Sequence, residues 1–290
     1  MKIPKIIHKV IITENGKTPF LDENISDAIN SFKIMNPGYE LKIYNGIDCE
    51  NYLKKYFSDE IYLAYKKINA FAFKCDLFRY CVLYKEGGIY SDIRSVCLVN
   101  LENVMPKDLK WFSAKDTPWY PPSDLHHLIK HKKKKVSAMQ NTFIMSIPFH
   151  PYLKEIIKIC VENIKNEVYG IHPLSITGPM AFHIAIKKVN FRQYPRKYYF
   201  GNFDPENNKI FFNNDALLRW KYKKVKAAYN KDIKGGNNYN KIYHSSKMFD
   251  KNIDIPKIII DNEWPLKKIL DLDVDYRWKK ELEKKKRNGI

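Results

Sequence analysis

Residues 70–94 read AFAFKCDLFRYCVLYKEGGIYSDIR, and the reading of this stretch decides the architecture. Phe71, Cys75, Phe78 and Val82 recur at helical spacing, so a helix is expected to turn one apolar stripe to a core. Asp76 and Arg79 sit three residues apart and share a neighbouring face of that helix. Gly87 and Gly88 stop it, and Ile89–Ile93 alternates as a short strand carrying Asp92. The chain thus brings a carboxylate–guanidinium pair and a second carboxylate to one place. Such a set suits a sugar and the diphosphate behind it.

Working outward, Lys5–Ile12 (KIIHKVII) is a continuous β-branched run and reads as a buried strand. Asp27–Met35 reads as a helix stopped by Asn36–Pro37–Gly38, and Tyr39–Tyr44 alternates as a second strand. Two short helices lead to Asn69. A β-α-β start of this kind predicts parallel strands with helices on the sheet faces. Ser95–Val99, Trp111–Ala114, Met139–Ile147 and Lys209–Phe212 are further strand candidates. His150–Ile164 is a strong amphipathic helix, and Pro179 opens another at a first-turn position. Trp119–Lys135 lacks periodicity and reads as a long loop, Gly235–Asn238 as a turn, and Lys241–His244 as a strand end. Residues 1–250 are expected to form one domain, with 251–290 a basic extension packed on it or trailing from it.

The chain has 290 residues and a formal charge of +19, mainly from lysine, with dense runs at Lys130–Lys135 and Lys279–Arg287. Such a surface attracts phosphates, polyanions or an anionic membrane face. A dedicated nucleic-acid binder is disfavoured, because no zinc spacing, RNP-like strand or helix-turn-helix pattern accompanies the charge. The five cysteines are scattered and odd in number, which disfavours zinc and a disulfide framework. No signal peptide and no membrane-length apolar run is read, so a cytoplasmic setting with weak peripheral membrane contact is expected.

The block Cys75, Asp76, Arg79, Tyr80, Leu83, Tyr84, Gly87, Gly88, Tyr90 and Asp92 resembles the signature of glycosyltransferase family 32. These are α-mannosyltransferase-like enzymes with a DXD sugar-binding region, whose pattern runs S-D-x-x-R-Y, L-Y, G-G-x-Y-x-D-x-D. The opening P-K-I-I-H and N-P-G-Y-E-L-K-I-Y also look like the family's first strands. The resemblance implies an α/β fold of the GT-A type, with a mixed, mostly parallel sheet flanked by helices. It also implies a hexosyltransferase that moves sugar from a UDP- or GDP-linked donor to a glycan or glycoconjugate hydroxyl, with retention.

By the same resemblance, His8, Ile11, Asp76, Arg79, Tyr90 and Asp92 would bind the donor. Asp92, Arg94 and Asn141 would serve catalysis, and Thr177 and Gly178 would shape the acceptor side. Ile11 stands where the family usually has tryptophan, which opens the identity of the base. Arg94 stands where the second DXD aspartate belongs. DXD enzymes bridge carboxylates and diphosphate with Mn²⁺ or Mg²⁺, a hard cation suited to oxygen ligands. Three readings follow. Arg94 replaces the cation, pairing with phosphate itself. Or Asp92 and His244 hold a metal. Or the protein is an inactive scaffold. The first is carried forward, because it keeps a positive charge where the chemistry needs one.

Overall fold

The computed structural model describes residues 2–117, 138–189, 198–220 and 237–256. Among these, nine strands form one sheet: β1 (Ile6–Val10), β2 (Glu40–Tyr44), β3 (Gly88–Ser91), β4 (Val96–Cys97), β5 (Trp111–Lys115), β6 (Met139–Ser146), β7 (Tyr198–Asp204), β8 (Lys209–Phe212) and β9 (Asp215–Arg219). Their order is β2-β1-β3-β6-β5-β7-β8-β9-β4. The helices are α1 (Glu23–Met35), α2 (Gly46–Tyr56), α3 (Asp59–Lys67), α4 (Phe71–Glu86), α5 (Leu101–Val104), α6 (Pro151–Lys165), α7 (Pro179–Lys188) and α8 (Tyr239–His244). The α/β architecture, a mixed sheet with flanking helices, is as expected.

The expectation of mostly parallel pairing needs correction. The pairs β1–β2, β1–β3 and β5–β7 are parallel, and the remaining five are antiparallel. Tight connections impose this: β7, β8 and β9 follow one another through short turns, which permit only antiparallel neighbours. The 241–244 strand end is also wrong, since these residues close α8. There Asn238 caps the helix by accepting from the Asn240 and Lys241 amides. The Lys130–Lys135 and Lys279–Arg287 runs, the 119–135 loop, and everything beyond 256 lie outside the described residues.

Side-chain alternation along β1 splits the interior in two. Val10 and Ile12 face a large cluster with α2, α3, α4, α6 and α7, whereas Ile7 faces Phe32 of α1 and Leu101 of α5. At the centre lies α4, with ten of its sixteen residues buried. A surface helix shows one apolar stripe; this one is enclosed on nearly every side, so Asp76 and Arg79 are interior groups. It ends at Gly87, whose φ of +68° and closeness to Pro148 exclude a side chain, since an added Cβ would meet Pro148 Cδ at 2.6 Å. The segment 237–256 closes over α3 and α4. Lys67 Nζ donates to the Asp250 and Ile253 carbonyls, Asn69 N donates to Met248 O, and Ile255 is buried in the main cluster.

Two histidines are interior as well. His8 donates Nε2–H to Gly87 O at 3.0 Å, so its Nδ1 accepts from Tyr44 Oη at 3.2 Å. The ring of His150 is boxed by Trp111, Tyr152 and Tyr198, with centroids 4.5, 4.8 and 4.7 Å away. Burial holds both in the neutral form: His8 falls to about 4, and His150 drops well below its usual value. A depressed histidine contributes stability above the unfolded value near 6.5 and loses it as the pH falls below that. Urea denaturation of the wild type should therefore show stability declining from pH 6.5 towards 4, with up to about 1.4 kcal/mol per pH unit from each ring. In His8→Gln one such slope should vanish; identical pH dependence in the two proteins would refute the assignment.

Candidate active site

At the ends of β1 and β3 a cleft of about 360 Å³ opens, lined among others by Ile11, Asp76, Arg79, Tyr90, Asp92, Arg94 and Asn141. The polar groups converge because of the α4–β3 connection. The helix ends in two glycines and the chain turns straight back into the sheet, so Asp92 returns beside the helix that carries Asp76 and Arg79. The Asp92 amide donates to Thr142 O, extending the β3–β6 ladder by one residue, and Ser95 N donates to Asp92 O to close a turn over 92–95. Arg94 is displayed on that turn and lines the cleft.

Arg79 is the hub. Its Nη2 lies 2.9 Å from Asp76 Oδ1, its Nη1 lies 3.2 Å from Asp92 Oδ1 and donates to Asn141 O at 2.6 Å, and the guanidinium covers the Tyr90 ring at 4.4 Å. Asp76 accepts from Asn141 Nδ2 and Thr177 Oγ1, each at 2.9 Å. Burial lifts its carboxyl to about 6, so it stays ionised at neutral pH and keeps the ion pair. Tyr80 Oη donates to Thr177 O and accepts the second N–H of Asn141, while Tyr90 Oη donates to Asp92 Oδ1.

The cleft therefore gathers Ile11, Asp76, Arg79, Tyr90, Asp92, Arg94 and Asn141, as read from the sequence. Four expected residues lie elsewhere. His8 does not line the cleft; it lies deeper along β1 than Val10 and Ile12, at the far end of α4, where it pins Gly87. Thr177 is fully buried and holds Asp76 and Tyr80 from behind, and Gly178 caps α7 against Leu174, so neither lines the cleft itself. His244 ends α8 exposed, with its ring edge-on to Tyr243, outside the cleft that Asp92 lines.

Sequence reasoning missed other participants. Lys9 is fully buried beneath the Asp92 turn, its Nζ 3.1 Å from Asp92 O and 3.9 Å above the Phe32 ring. Burial brings its ammonium down to about 7, against the pull of Asp92. KIIHKVII reads as one continuous buried strand, and nothing in that pattern tells what a lysine inside it meets. Trp220 donates Nε1–H to Asp92 Oδ2 at 3.4 Å, and Tyr239, Asn237 and Phe71 form the opposite wall. Asp116, Gln140 and Thr142 line the β5–β6 side.

The donor set does not suit a carboxylate-held divalent cation. Asp92 already accepts from Tyr90, Arg79 and Trp220, and the second position of the motif is a guanidinium. Among the described residues no group of three His, Cys, Asp or Glu is placed to hold a metal ion. Arg94 lines the cleft beside Asp92.

Residues 22–111 match the family described as "Glycosyltransferase sugar-binding region containing DXD motif". The chain is 26% identical over 242 residues to "Inositol phosphoceramide mannosyltransferase 2" of Schizosaccharomyces pombe, covering 75% of this chain and 61% of that one. It is 26% identical over 175 residues to "Initiation-specific alpha-1,6-mannosyltransferase" of the same yeast, covering 59% and 41%. Among solved structures, the "PaToxG Glycosyltransferase" aligns with a TM-score of 0.47 and 20% identity, over 67% of this chain and 71% of that one. The chain thus spans roughly two- to three-fifths of the curated relatives' length. The likeness read from the motif holds: residues 22–111 are similar to the sugar-binding region of DXD glycosyltransferases.

Proposed function

We propose that this chain is a GT-A-type glycosyltransferase that moves a hexose from a nucleotide-sugar donor to a hydroxyl of a glycan or glycoconjugate, with retention. The observation that carries the reading is the Asp76–Arg79–Asp92 cluster, set at the end of a parallel strand pair with Arg94 at its edge. Such a cleft joins an anion-pairing group to a rigid polar floor, which is what a sugar diphosphate needs. In the reaction the anomeric carbon–phosphate oxygen bond breaks, and the acceptor oxygen bonds the same carbon. The acceptor's proton passes to the departing diphosphate.

The chain's own residues do three things for that step. Arg94 faces the diphosphate and stabilises the charge that grows on it as the bond breaks. Arg79, tied to both carboxylates, keeps Asp76 and Asp92 at fixed separation, so little reorganisation accompanies the charge shift. Lys9 and Ser95 hold the Asp92 carbonyl and with it the turn that aims Arg94. A cytoplasmic setting and weak attraction to anionic membranes through the lysine-rich surface belong to the same proposal.

A thermal-shift screen of UDP- and GDP-sugars tests it, because a ligand that binds only the folded state raises the melting temperature. At least one donor should raise it, and donor cleavage should follow. Both should persist in excess EDTA, since Arg94 supplies the charge. Loss in EDTA with rescue by Mn²⁺ would sink the metal-free part of the reading. A stabilising donor with no transfer under any condition would leave the protein as an inactive relative.

A further inference from the structure

The β5–β6 pairing carries an irregularity beside the cleft. Phe112 pairs with Met145 and Ala114 with Gln140, so five residue steps of β6 lie against two of β5. A bulge of this kind re-aims side chains, and here Gln140, Asn141 and Thr142 all line the cleft. Asn141 is committed to Asp76 and Tyr80. Gln140 and Thr142 pair with each other, Thr142 Oγ1 donating to Gln140 Oε1 at 3.1 Å. Gln140 also hydrogen-bonds the Asp116 side chain, which accepts in addition from Thr117 N at 2.7 Å.

The register places Asp116 relative to the diphosphate end. Ile89 of β3 and Phe112 of β5 both pair with Met145, from opposite sides of β6. Asp92 lies three residues beyond the first and Asp116 four beyond the second, along parallel directions. Beyond the bulge the two diverge along β6: Asp92 N donates to Thr142 O and Asp116 N to Ala138 O, four β6 residues apart. Both line the one cleft that Arg94 also lines, so a sugar held by its phosphate at Arg94 meets Asp116 from the β5–β6 side. Unlike Asp76 and Asp92, Asp116 has no ion pair with Arg79. Burial pushes its carboxyl above the usual range.

We propose that Asp116, oriented by Gln140, is the residue that reads hydroxyl groups of the donor's sugar ring and so sets which sugar the cleft accepts. The assignment rests on the transferase reading above. It carries a selectivity: with Asp76, Asp92 and Asp116 around the ring position, a sugar bearing its own carboxylate meets like charge, whereas a neutral polyol offers donors to an acceptor-only group.

Calorimetric titration separates the claims, with UDP, UDP-glucose and UDP-glucuronate as one probe set and GDP and GDP-mannose as another. The wild type should bind a neutral nucleotide sugar more tightly than the bare nucleotide, and the glucuronate donor more weakly. Asp116→Ala should lose about ten- to a hundred-fold for the sugar-bearing ligand, as expected for a hydrogen bond to a charged group, with nucleotide affinity unchanged. Gln140→Ala should lose less in the same direction, and Asp116→Asn should narrow the discrimination against glucuronate. Three outcomes would overturn the assignment: unchanged sugar affinity in Asp116→Ala, equal loss for nucleotide and nucleotide sugar, or glucuronate binding as well as glucose in the wild type. If the wild type binds no nucleotide or nucleotide sugar at all, the transferase reading itself fails, and that result is distinct from the others.

Discussion

Arg79→Ala should destabilise the protein by about 3–5 kcal/mol, the cost of removing one partner from a buried ion pair. The reason is geometric. The variant leaves Asp76 and Asp92 near each other without their shared cation, and strips the Tyr90 ring and the Asn141 carbonyl of a partner. Against a total stability of order 5–15 kcal/mol, this is a large fraction. Urea denaturation gives the loss directly, and transfer should fall below detection at temperatures where the variant is still folded. Arg79→Lys should not rescue either property, because a single ammonium cannot span two carboxylates and a carbonyl as the planar fork does. The idea fails if Arg79→Ala is within about 1 kcal/mol of wild type, the range of an exposed ion pair.

Arg94→Ala is expected to behave in the opposite way. The side chain is half-buried on a turn closed by the Ser95 N to Asp92 O bond, which the substitution keeps, so stability should fall by less than in Arg79→Ala. Transfer should drop by about 10²–10³, the usual cost of removing one preorganised group that stabilises developing negative charge. Arg94→Asp sharpens the test. It rebuilds the DXD pattern beside Asp92 and should convert residual activity from EDTA-indifferent to Mn²⁺-requiring. Arg94→Ala retaining wild-type turnover would remove this residue from the mechanism, and the decisive assay is single-turnover donor cleavage at saturating donor.

Why the centre of the site was legible and its periphery was not follows from the kinds of signal involved. Asp76, Arg79, Gly87, Gly88, Tyr90 and Asp92 lie on one continuous helix–turn–strand, where local spacing fixes geometry. The burial of the Asp–Arg pair was not legible. Helical periodicity identified the stripe of Phe71, Cys75, Phe78 and Val82, but α4 is covered on other sides by α6 and the late segment carrying Asn237, Tyr239 and Met248. Long-range contacts of this sort leave no periodic trace. The same holds for Asp116 and Gln140, which meet only because of a bulge between two strands, and for Trp220, which reaches Asp92 from just past β9, 128 residues later. His244 failed as a ligand because it lies on a short helix that Asn238 caps rather than on a strand end, outside the cleft that Asp92 lines. His8 failed because it lies deeper along β1 than Val10 and Ile12 on the same face, against Gly87 at the far end of α4. Lys9 needed knowledge of what lies beneath the Asp92 turn.

The clasp of residues 237–256 over α3 and α4 bears on when this protein starts to work. Lys67 waits for a partner 183 residues further along the chain, and Phe71 for one 166 residues later. At synthesis rates of roughly 5–20 residues per second, that is a delay of about 9–37 s. During it, the arginine–carboxylate hub can form from residues already made, while the wall that Asn237 and Tyr239 supply is still missing. A nascent chain therefore carries the charged floor of its cleft before it carries the roof. A polypeptide that stops before residue 237 holds the chemistry without the enclosure, and so stays silent until that segment has been made.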